Sequence, residues 1–299
     1  MDGRSMAQTK TSGQAVTAGP VFRALLRRWR LARVMSQLTL ATEAEISTRH
    51  LSFLETGRTQ PSREMVLLLA AVLDVPMRDQ NVMLTAAGYA PMHRETPLAA
   101  PQMDQVRRAL GFMLSQQEPY PALVVDRHWN LLMQNEAAGR LLGLFLDAEA
   151  AAKIPGPPNA VRIVFHPYGL RRCIQNWESV AGPLIQQIHR EAVGGIPDEG
   201  TLRLLDELLA YPGVPARWRT PDAQAQSAPM LSLALRKGDL ALRFFTTIAT
   251  LGTPQDVTLQ ELRVESFFPA DEVTEEFAHH VARSEAAPRR ADAGRTTPS

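Results

Sequence analysis

The sequence predicts two domains, an all-α domain of five helices followed by an α+β domain with an antiparallel sheet. The chain has 299 residues, more than one hydrophobic core usually serves. Five short helical patterns fill residues 21–90. After them, strand-like alternation occurs in two separate regions, with longer helical patterns between them. Hydrophobic residues make up 45% and charged residues 21%, a balance typical of folded globular proteins.

The boundaries follow from local composition. Residues 91–102 carry three prolines and no periodicity, which predicts a linker between domains at 21–90 and 103–281. The polar residues 1–20 and 282–299 predict disordered tails. The longest apolar stretch, 65–73, is about half of what a membrane span needs. With a single cysteine, Cys173, we expect a cytoplasmic protein without disulfide or membrane span.

Positive charge is concentrated in the first predicted domain. Residues 21–63 hold eight arginines and three glutamates, a net charge of +5, whereas the whole chain has a net charge of +1. The remainder is therefore net acidic. This distribution predicts that a polyanion binds the first domain and not the second.

Serine residues stand at the expected N-termini of helices in this domain. Ser36 is expected to cap the second helix, and Ser47 to cap a third that ends at Gly57. Two short helices joined by a tight turn are typical of a helix-turn-helix. In the first helix we expect Leu25, Trp29 and Ala32 to face inward. The arginines expected on its other faces are Arg27, Arg28, Arg30 and Arg33.

The third helix has the chemistry of a recognition helix. A helix of about nine residues, as predicted between Ser47 and Gly57, is about 13 Å long, close to the width of the DNA major groove. Arginine can bond a guanine edge, and hydroxyls can bond bases or phosphates. The side chains expected to contact DNA are Gln37, Ser47, Thr48, Arg49, Ser52 and Arg58. The alternative is a solvated basic bundle that makes only protein contacts.

Residues 36–91 resemble the helix-turn-helix domain of the xenobiotic-response-element (XRE) family of repressors. The matching motifs are Leu54-Glu55-x-Gly57-Arg58 and Pro61-Ser62. The resemblance implies phosphate contacts by Gln37 and Arg58 and base contacts by Thr48, Arg49 and Ser52. Phe53 stands where many relatives have a polar base-contacting residue, so it is expected to pack on a thymine methyl or on a partner subunit. Glu45 stands where many relatives have glycine, and a left-handed backbone there would cost about 1 to 2 kcal/mol.

The second domain alternates strand and helix patterns. Strands are predicted at 122–125 and 129–133, a helix at 135–146, a helical stripe at 170–192 kinked at Pro183, and strands at 231–235, 240–244 and 262–268. Two strands, then helices, then three strands is the chain order of a PAS-like sheet. In that arrangement helices cover one sheet face, and a ligand can lie between helices and sheet.

Such a pocket needs apolar walls and a few polar anchors. The residues expected to bind a ligand are Trp129, Asn135, Phe165, His166, Arg171 and Trp177. Arginine suits a carboxylate best. The alternative is that the aromatic residues are core, Asn135 caps a helix, and His166 and Arg171 lie on the surface.

Residues 121–142, 173–192 and 250–271 resemble the MmyB-like regulator ligand-binding domain. This resemblance implies a PAS-like pocket for a fatty acid or similar apolar molecule. Together the two resemblances predict a homodimeric transcription regulator of double-stranded DNA with an inverted-repeat operator. One alternative is that the second domain only dimerises or binds a protein partner.

An enzyme anchored to DNA is a further alternative. The sequence predicts no catalytic residue, metal site or cofactor. Cys173 lies in an apolar helical pattern, which favours an inert thiol. His279 and His280 have no cysteine near them, and the preceding Glu275 and Glu276 look like a solvated helix face, so no metal site is expected there.

Overall fold

A computed structural model describes residues 20–221 and 230–292 of the chain, with side chains for 21–221 and 230–284. It divides into two compact units, one up to His93 and one from Arg94 onward.

The first unit consists of helices, and the five in its described part are α1 (Pro20–Ala32), α2 (Gln37–Glu43), α3 (Thr48–Thr56), α4 (Arg63–Val72) and α5 (Met77–Ala86). Ser36, Ser47 and Ser62 each accept a hydrogen bond from the backbone N–H three residues later. These bonds satisfy amide groups that a helix start leaves without partners. Gly57 ends α3 with a φ of 76°, in the left-handed region. The predicted caps and the α3 terminus are confirmed.

The buried face of α1 differs from the predicted one. Phe22, Leu26 and Trp29 are buried, Leu25 is half-buried, and Ala32 is exposed. The spacing i, i+4, i+7 is the one predicted, but it starts three residues earlier in the structure. Phe22 extends the apolar face toward the helix start, where it joins the core formed by the leucines of α2, α3 and α4.

The second unit combines helices and strands. Its helices are α6 (Asp104–Gln116), α7 (Glu136–Phe145), α8 (Ala148–Ala152), α9 (Ala160–Phe165), α10 (Trp177–Val193), α11 (Glu199–Ala210), α12 (Val257–Glu261) and α13 (Glu272–Asp292). Its strands are β1 (Ala122–Val125), β2 (Leu131–Gln134), β3 (Leu231–Lys237), β4 (Leu240–Thr250) and β5 (Arg263–Pro269). Short 3₁₀ segments lie at Pro101–Met103, Leu170–Arg172 and Ala216–Arg219.

The strands form one antiparallel sheet in the order β2-β1-β5-β4-β3. The predicted fold class, a helical domain followed by an α+β domain with an antiparallel sheet, is confirmed. One sheet face packs against α7, α9, α10 and α11 around the larger core. Leu110 and Leu114 of α6 pack with Val124 and Val264 in a separate cluster.

The sequence predicts that Trp129 begins the second strand, but the structure places it before that strand. It lies in the turn before β2, with a φ of 64° and 2% of its surface exposed. The Asp126 carboxylate accepts hydrogen bonds from the backbone N–H groups of His128 and Asn130, at 2.8 and 2.9 Å. These bonds close the turn around Trp129 and delay the strand to Leu131.

The predicted helical stripe at 170–192 is divided in the structure. Residues 173–176 run beside β3, where Gln175 N donates to Ala234 O and Arg236 N donates to Cys173 O. The Asn176 side chain also bonds Ser232 O and Ala234 N, at 2.8 and 3.0 Å. These bonds to the sheet delay the helix to Trp177. From there α10 continues through Pro183.

The predicted linker, 91–102, has hydrogen bonds on both sides of the boundary between the two units, which follows His93. Asn81 accepts from the backbone N–H of His93 within the first unit, whereas Thr96 donates to Asp256 at 2.7 Å within the second. At the other end of the chain, α13 continues to Asp292, beyond the predicted domain end at 281. Alanine, glutamate and arginine, which favour helix, are frequent in this stretch. Residues 1–19 and 293–299 of the predicted tails lie outside the described residues.

Candidate functional site

The α2–α3 pair is joined by a tight turn. Ser47 N-caps α3, and its side chain accepts from His50 N at 3.1 Å. Glu45, in the turn, has a φ of 54°. The left-handed conformation that relatives satisfy with glycine is therefore present here in a non-glycine residue, at a cost of about 1 to 2 kcal/mol.

The first turn of α3 presents polar side chains outward. Ser47, Thr48 and Arg49 are exposed, and Ser52 is half-buried. Leu51 and Leu54 are fully buried on the opposite face. The structure thus brings the predicted base-contacting residues together on one exposed surface.

Phe53 lies between two arginines. The guanidinium carbons of Arg49 and Arg58 lie 5.3 and 5.6 Å from the centre of its ring. Cation–π contacts of this kind stabilise exposed pairs by about 0.5 to 1 kcal/mol. Phe53 therefore orients both arginines at the outer face of α3, a role that the sequence analysis missed.

A buried ion pair holds α1 against α3. Arg30 contacts both carboxylate oxygens of Glu55, at 2.6 and 2.9 Å, and donates to Met35 O at 2.9 Å. Burial alone would raise the pKa of Glu55, but the hydrogen bonds from Arg30 and Gln37 hold it below its ordinary value. Arg30, expected on an outward face, is thus a buried structural residue.

Gln37 has a second role beside the predicted one. Its side-chain amide donates at 2.7 Å to Glu55 Oε2, which also accepts from Arg30. One amide hydrogen is therefore used within the domain, and the phosphate contact of Gln37 stays a prediction.

The second unit contains a cavity of about 80 Å³ between the sheet and helices α7, α9 and α10. Its walls are almost entirely aliphatic and aromatic. The lining residues include Leu123, Trp129, Leu131, Leu141, Val161, Ile163, Leu184, Leu233 and Phe267. A mostly apolar lining with few polar groups is the composition typical of small-molecule sites.

Two polar side chains, Thr246 of β4 and Glu265 of β5, also line the cavity. Both are buried. Burial raises the pKa of Glu265 to about 7, and a hydrogen bond with Thr246 lowers it by less. The sequence analysis missed both residues, although an acidic residue in an otherwise apolar strand is itself a signal.

Of the six predicted ligand residues, Trp129 lines the cavity and the other five do not. Asn135 is a buried structural residue. Its Oδ1 accepts from the backbone N–H groups of Ala122 and Ala138, both at 2.9 Å, and its Nδ2 donates to Tyr120 O at 2.8 Å. It caps α7, which leaves its side chain occupied.

The other four form an aromatic and cationic cluster outside the cavity. Phe165 packs edge-on against Trp177, with ring centroids 5.8 Å apart. The Arg171 guanidinium lies 4.0 Å from the Trp177 ring and donates to Gly213 O at 2.9 Å. His166 packs on Tyr211. Each polar group thus has a structural partner. The alternative interpretation is confirmed for Asn135, which caps a helix, but it is wrong for His166, which is buried at 8% exposure instead of lying on the surface.

In the part of the chain that the structure describes, no three His, Cys, Asp or Glu side chains form a group able to hold a metal ion. Across the same residues, no helix has both the length and the hydropathy needed to cross a bilayer.

Comparison with known families gives two matches. The family model of the MmyB-like transcription regulator ligand binding domain matches residues 106–280, and a helix-turn-helix family model matches residues 26–80. No curated protein matches the chain. A solved structure described as an RNA-binding light-oxygen-voltage receptor is 12% identical, with a TM-score of 0.26. The match covers 89% of this chain and 63% of that one, and this similarity is too low to support an argument.

Proposed function

Because the chain belongs to the family of MmyB-like transcription regulators, we propose that it binds an inverted-repeat operator as a homodimer and that its second domain senses an apolar small molecule, such as a fatty acid. It is a DNA-binding transcription regulator with a ligand-binding domain. It would act in the cytoplasm, where bacterial DNA lies.

The observation that carries the DNA-binding part is the outer face of α3. Thr48 and Arg49 are exposed there, and their helix is fixed by the Ser47 cap and the Arg30–Glu55 ion pair. We assign base contacts to Thr48, Arg49 and Ser52. Phosphate contacts are assigned to Arg58 and to Gln37 with the backbone at the start of α2.

A dimer would place two copies of α3 about 34 Å apart, or a multiple of this, in successive major grooves. A protection footprint of the full chain across the gene's own upstream region tests this. We expect two protected half-sites in inverted orientation. Protection of a single half-site, or none, would contradict the dimeric arrangement.

The cavity supports the sensing part. The indole N–H of Trp129, whose ring lines the cavity, finds no hydrogen-bond partner among the described residues. Such a buried donor is costly unless a ligand or water supplies an acceptor. For regulation, the ligand must bind one arrangement of the DNA-binding domains more tightly than another. Native mass spectrometry of gently purified protein, followed by organic extraction, should reveal a co-purifying apolar molecule.

One observation favours an alternative, in which the second domain only dimerises or binds a protein partner. Phe112 on α6 is 68% exposed, and the neighbouring Met113 is 41% exposed. Exposed apolar side chains of this size mark interaction surfaces when they cluster. If Phe112→Ser abolishes dimers while no small molecule co-purifies with the native protein, the alternative replaces the sensing proposal.

A further inference from the structure

The polar end of the cavity is made by two neighbouring strands. Glu265 of β5 lies opposite Leu123 of β1, and both line the cavity. Thr246 of β4 lies opposite Phe267, two residues along the same sheet face, and hydrogen-bonds the Glu265 carboxyl. Both polar residues therefore point from the middle of the sheet into an apolar space.

No basic side chain is present among the described residues that line this cavity. Arg171, the sequence-predicted carboxylate anchor, donates to Gly213 O and lies over Trp177. Arg263, earlier on β5, pairs through Nη2 with Glu191 at 2.8 Å and lies 5.0 Å from the centre of the Trp129 ring. Its buried Nη1 has no hydrogen-bond partner among the described residues, but Arg263 is not one of the residues that line the cavity. The charge at the cavity wall is therefore a carboxyl, where a fatty-acid site would need a cation.

We infer that the cavity binds a small apolar molecule whose head donates a hydrogen bond to Glu265, a hydroxyl or a primary amine, in preference to a carboxylate. This inference rests on the proposed ligand-sensing function and replaces the fatty acid named there with an apolar alcohol or amine. A carboxyl group offers about four acceptor positions on its two oxygens. The Thr246 hydroxyl occupies one of them, and a ligand head can occupy another.

Electrostatics disfavour a carboxylate head. Two carboxylates in one apolar site cannot both stay ionised at low cost, because like charges there are weakly screened. Burial has already raised the pKa of Glu265 to about 7, so binding an acid requires that one of the two carboxyl groups keeps a proton. An ammonium head instead neutralises the glutamate, and a hydroxyl needs no change in ionisation.

The cavity also limits ligand size. Its volume of about 80 Å³ corresponds to roughly five to eight water-sized groups. A six-carbon chain with one polar head fits this range. Hexanol, hexylamine and hexanoate are therefore matched probes that differ in the head group alone.

Isothermal titration calorimetry of the full chain with the three probes tests the inference. We expect hexylamine and hexanol each to bind at least about tenfold more tightly than hexanoate. In Glu265→Gln the amide keeps the size and an acceptor oxygen but loses the charge. Hexylamine should then lose about tenfold in affinity while hexanol changes by less than about twofold. Glu149→Gln, at an exposed helix position, is the matched control and should change nothing.

The ranking of the three affinities distinguishes the possible explanations. If hexanoate binds the unaltered protein most tightly, the inference is overturned and the apolar pocket stands. Equal binding of all three heads overturns the role of Glu265 alone. If none of the three probes binds, the inference and the sensing part of the proposed function fail together. The ranking on the unaltered protein stands even if the Glu265 variant does not fold.

Discussion

Arg30 of α1 and Glu55 of α3 form a two-point ion pair, with Nε–Oε1 at 2.6 Å and Nη2–Oε2 at 2.9 Å. Their side chains are 10% and 4% exposed. The pair fixes α3, the recognition helix, on α1. Removing one partner of a buried pair leaves the other charge without compensation.

We therefore expect Glu55→Gln to lower the free energy of unfolding of the first domain by about 3 kcal/mol. Urea unfolding of the full chain, followed by circular dichroism, measures this. Glu43→Gln, an exposed glutamate of α2, is the control. The pKa of Glu55 is held below its ordinary value, so the stabilisation is present above about pH 4.5 and is lost as the pH falls through the folded value. A loss of stability as small as that of the control would contradict this account.

Glu45 offers a stabilising change. Its φ of 54° suits glycine, so Glu45→Gly should raise the free energy of unfolding by about 1 kcal/mol, the relieved strain being partly offset by glycine's greater entropy in the unfolded chain. Glu43→Gly, at the last residue of α2, has no such strain to relieve and should lower it, by less than about 1 kcal/mol. Thermal unfolding of both variants checks the pair. Destabilisation by both would mean that the turn is not strained.

Asn135 is expected to be essential for folding and unimportant for ligand chemistry. Asn135→Ala leaves the buried N–H groups of Ala122 and Ala138 without an acceptor, a loss of about 3 kcal/mol. Gln134→Ala, at the exposed neighbouring position, should change the unfolding free energy by less than about 0.5 kcal/mol. Chemical denaturation distinguishes them. Full stability of the Asn135 variant, with altered hexanol binding, would restore the sequence-based ligand role.

Glu265 should make the second domain less stable as the pH rises. Its pKa is raised from 4.5 to about 7. Between these values the folded state binds a proton that the unfolded state has lost, so the free energy of unfolding falls with rising pH. The total loss is about 3 kcal/mol, and it is complete above about pH 7.

The variant Glu265→Gln removes this dependence. Unfolding curves of both proteins at a series of pH values should therefore converge near about pH 4 and separate toward about pH 8, with the variant the more stable. Arg263 and Glu191, paired with each other beside Trp129, are unchanged in both proteins. Parallel curves would show that Glu265 is not buried in an apolar site.

Local signals in the sequence were sufficient for much of the fold. Ser36, Ser47 and Gly57 act on backbone groups within a few residues, so helix ends could be predicted from them. The strand pair β3–β4 follows from the two-residue connection between Lys237 and Leu240. The connection between β4 and β5 is longer and contains α12, so that pair follows less directly from the sequence. The order of strands and helices along the chain matched a known pattern, whereas the order of strands within the sheet was not predicted.

Other features depend on partners distant in the chain. The burial of Arg30 requires Glu55, and the position of Glu265 in the cavity requires β1 to pair with β5. Periodicity within one element contains neither fact. Trp129 likewise fits a strand pattern, but the Asp126 turn places it before the strand. The residues that line the cavity or form the buried ion pair were therefore predicted less well than the helices.

Arg49 should determine sequence preference, and Arg58 overall affinity. Arg49→Ala is expected to reduce discrimination between operator and random duplex by about 1 to 3 kcal/mol, whereas Arg58→Ala should weaken binding to both duplexes equally. Arg203→Ala, in the second unit on α11, is the control. Fluorescence anisotropy with both duplexes gives the ratio of the affinity for the operator to the affinity for the random duplex. An unchanged ratio in the Arg49 variant would remove the base contact assigned to it.

The central claim is that α3 enters the major groove while neighbouring arginines bind phosphates. Its most direct test is the affinity of the full chain for duplex DNA from its own upstream region, measured between about 50 and 200 mM salt. We predict submicromolar binding at the lower concentration that weakens by at least about a hundredfold at the higher one, as the release of counterions requires. Binding that is absent from every upstream duplex, or insensitive to salt, would contradict the claim.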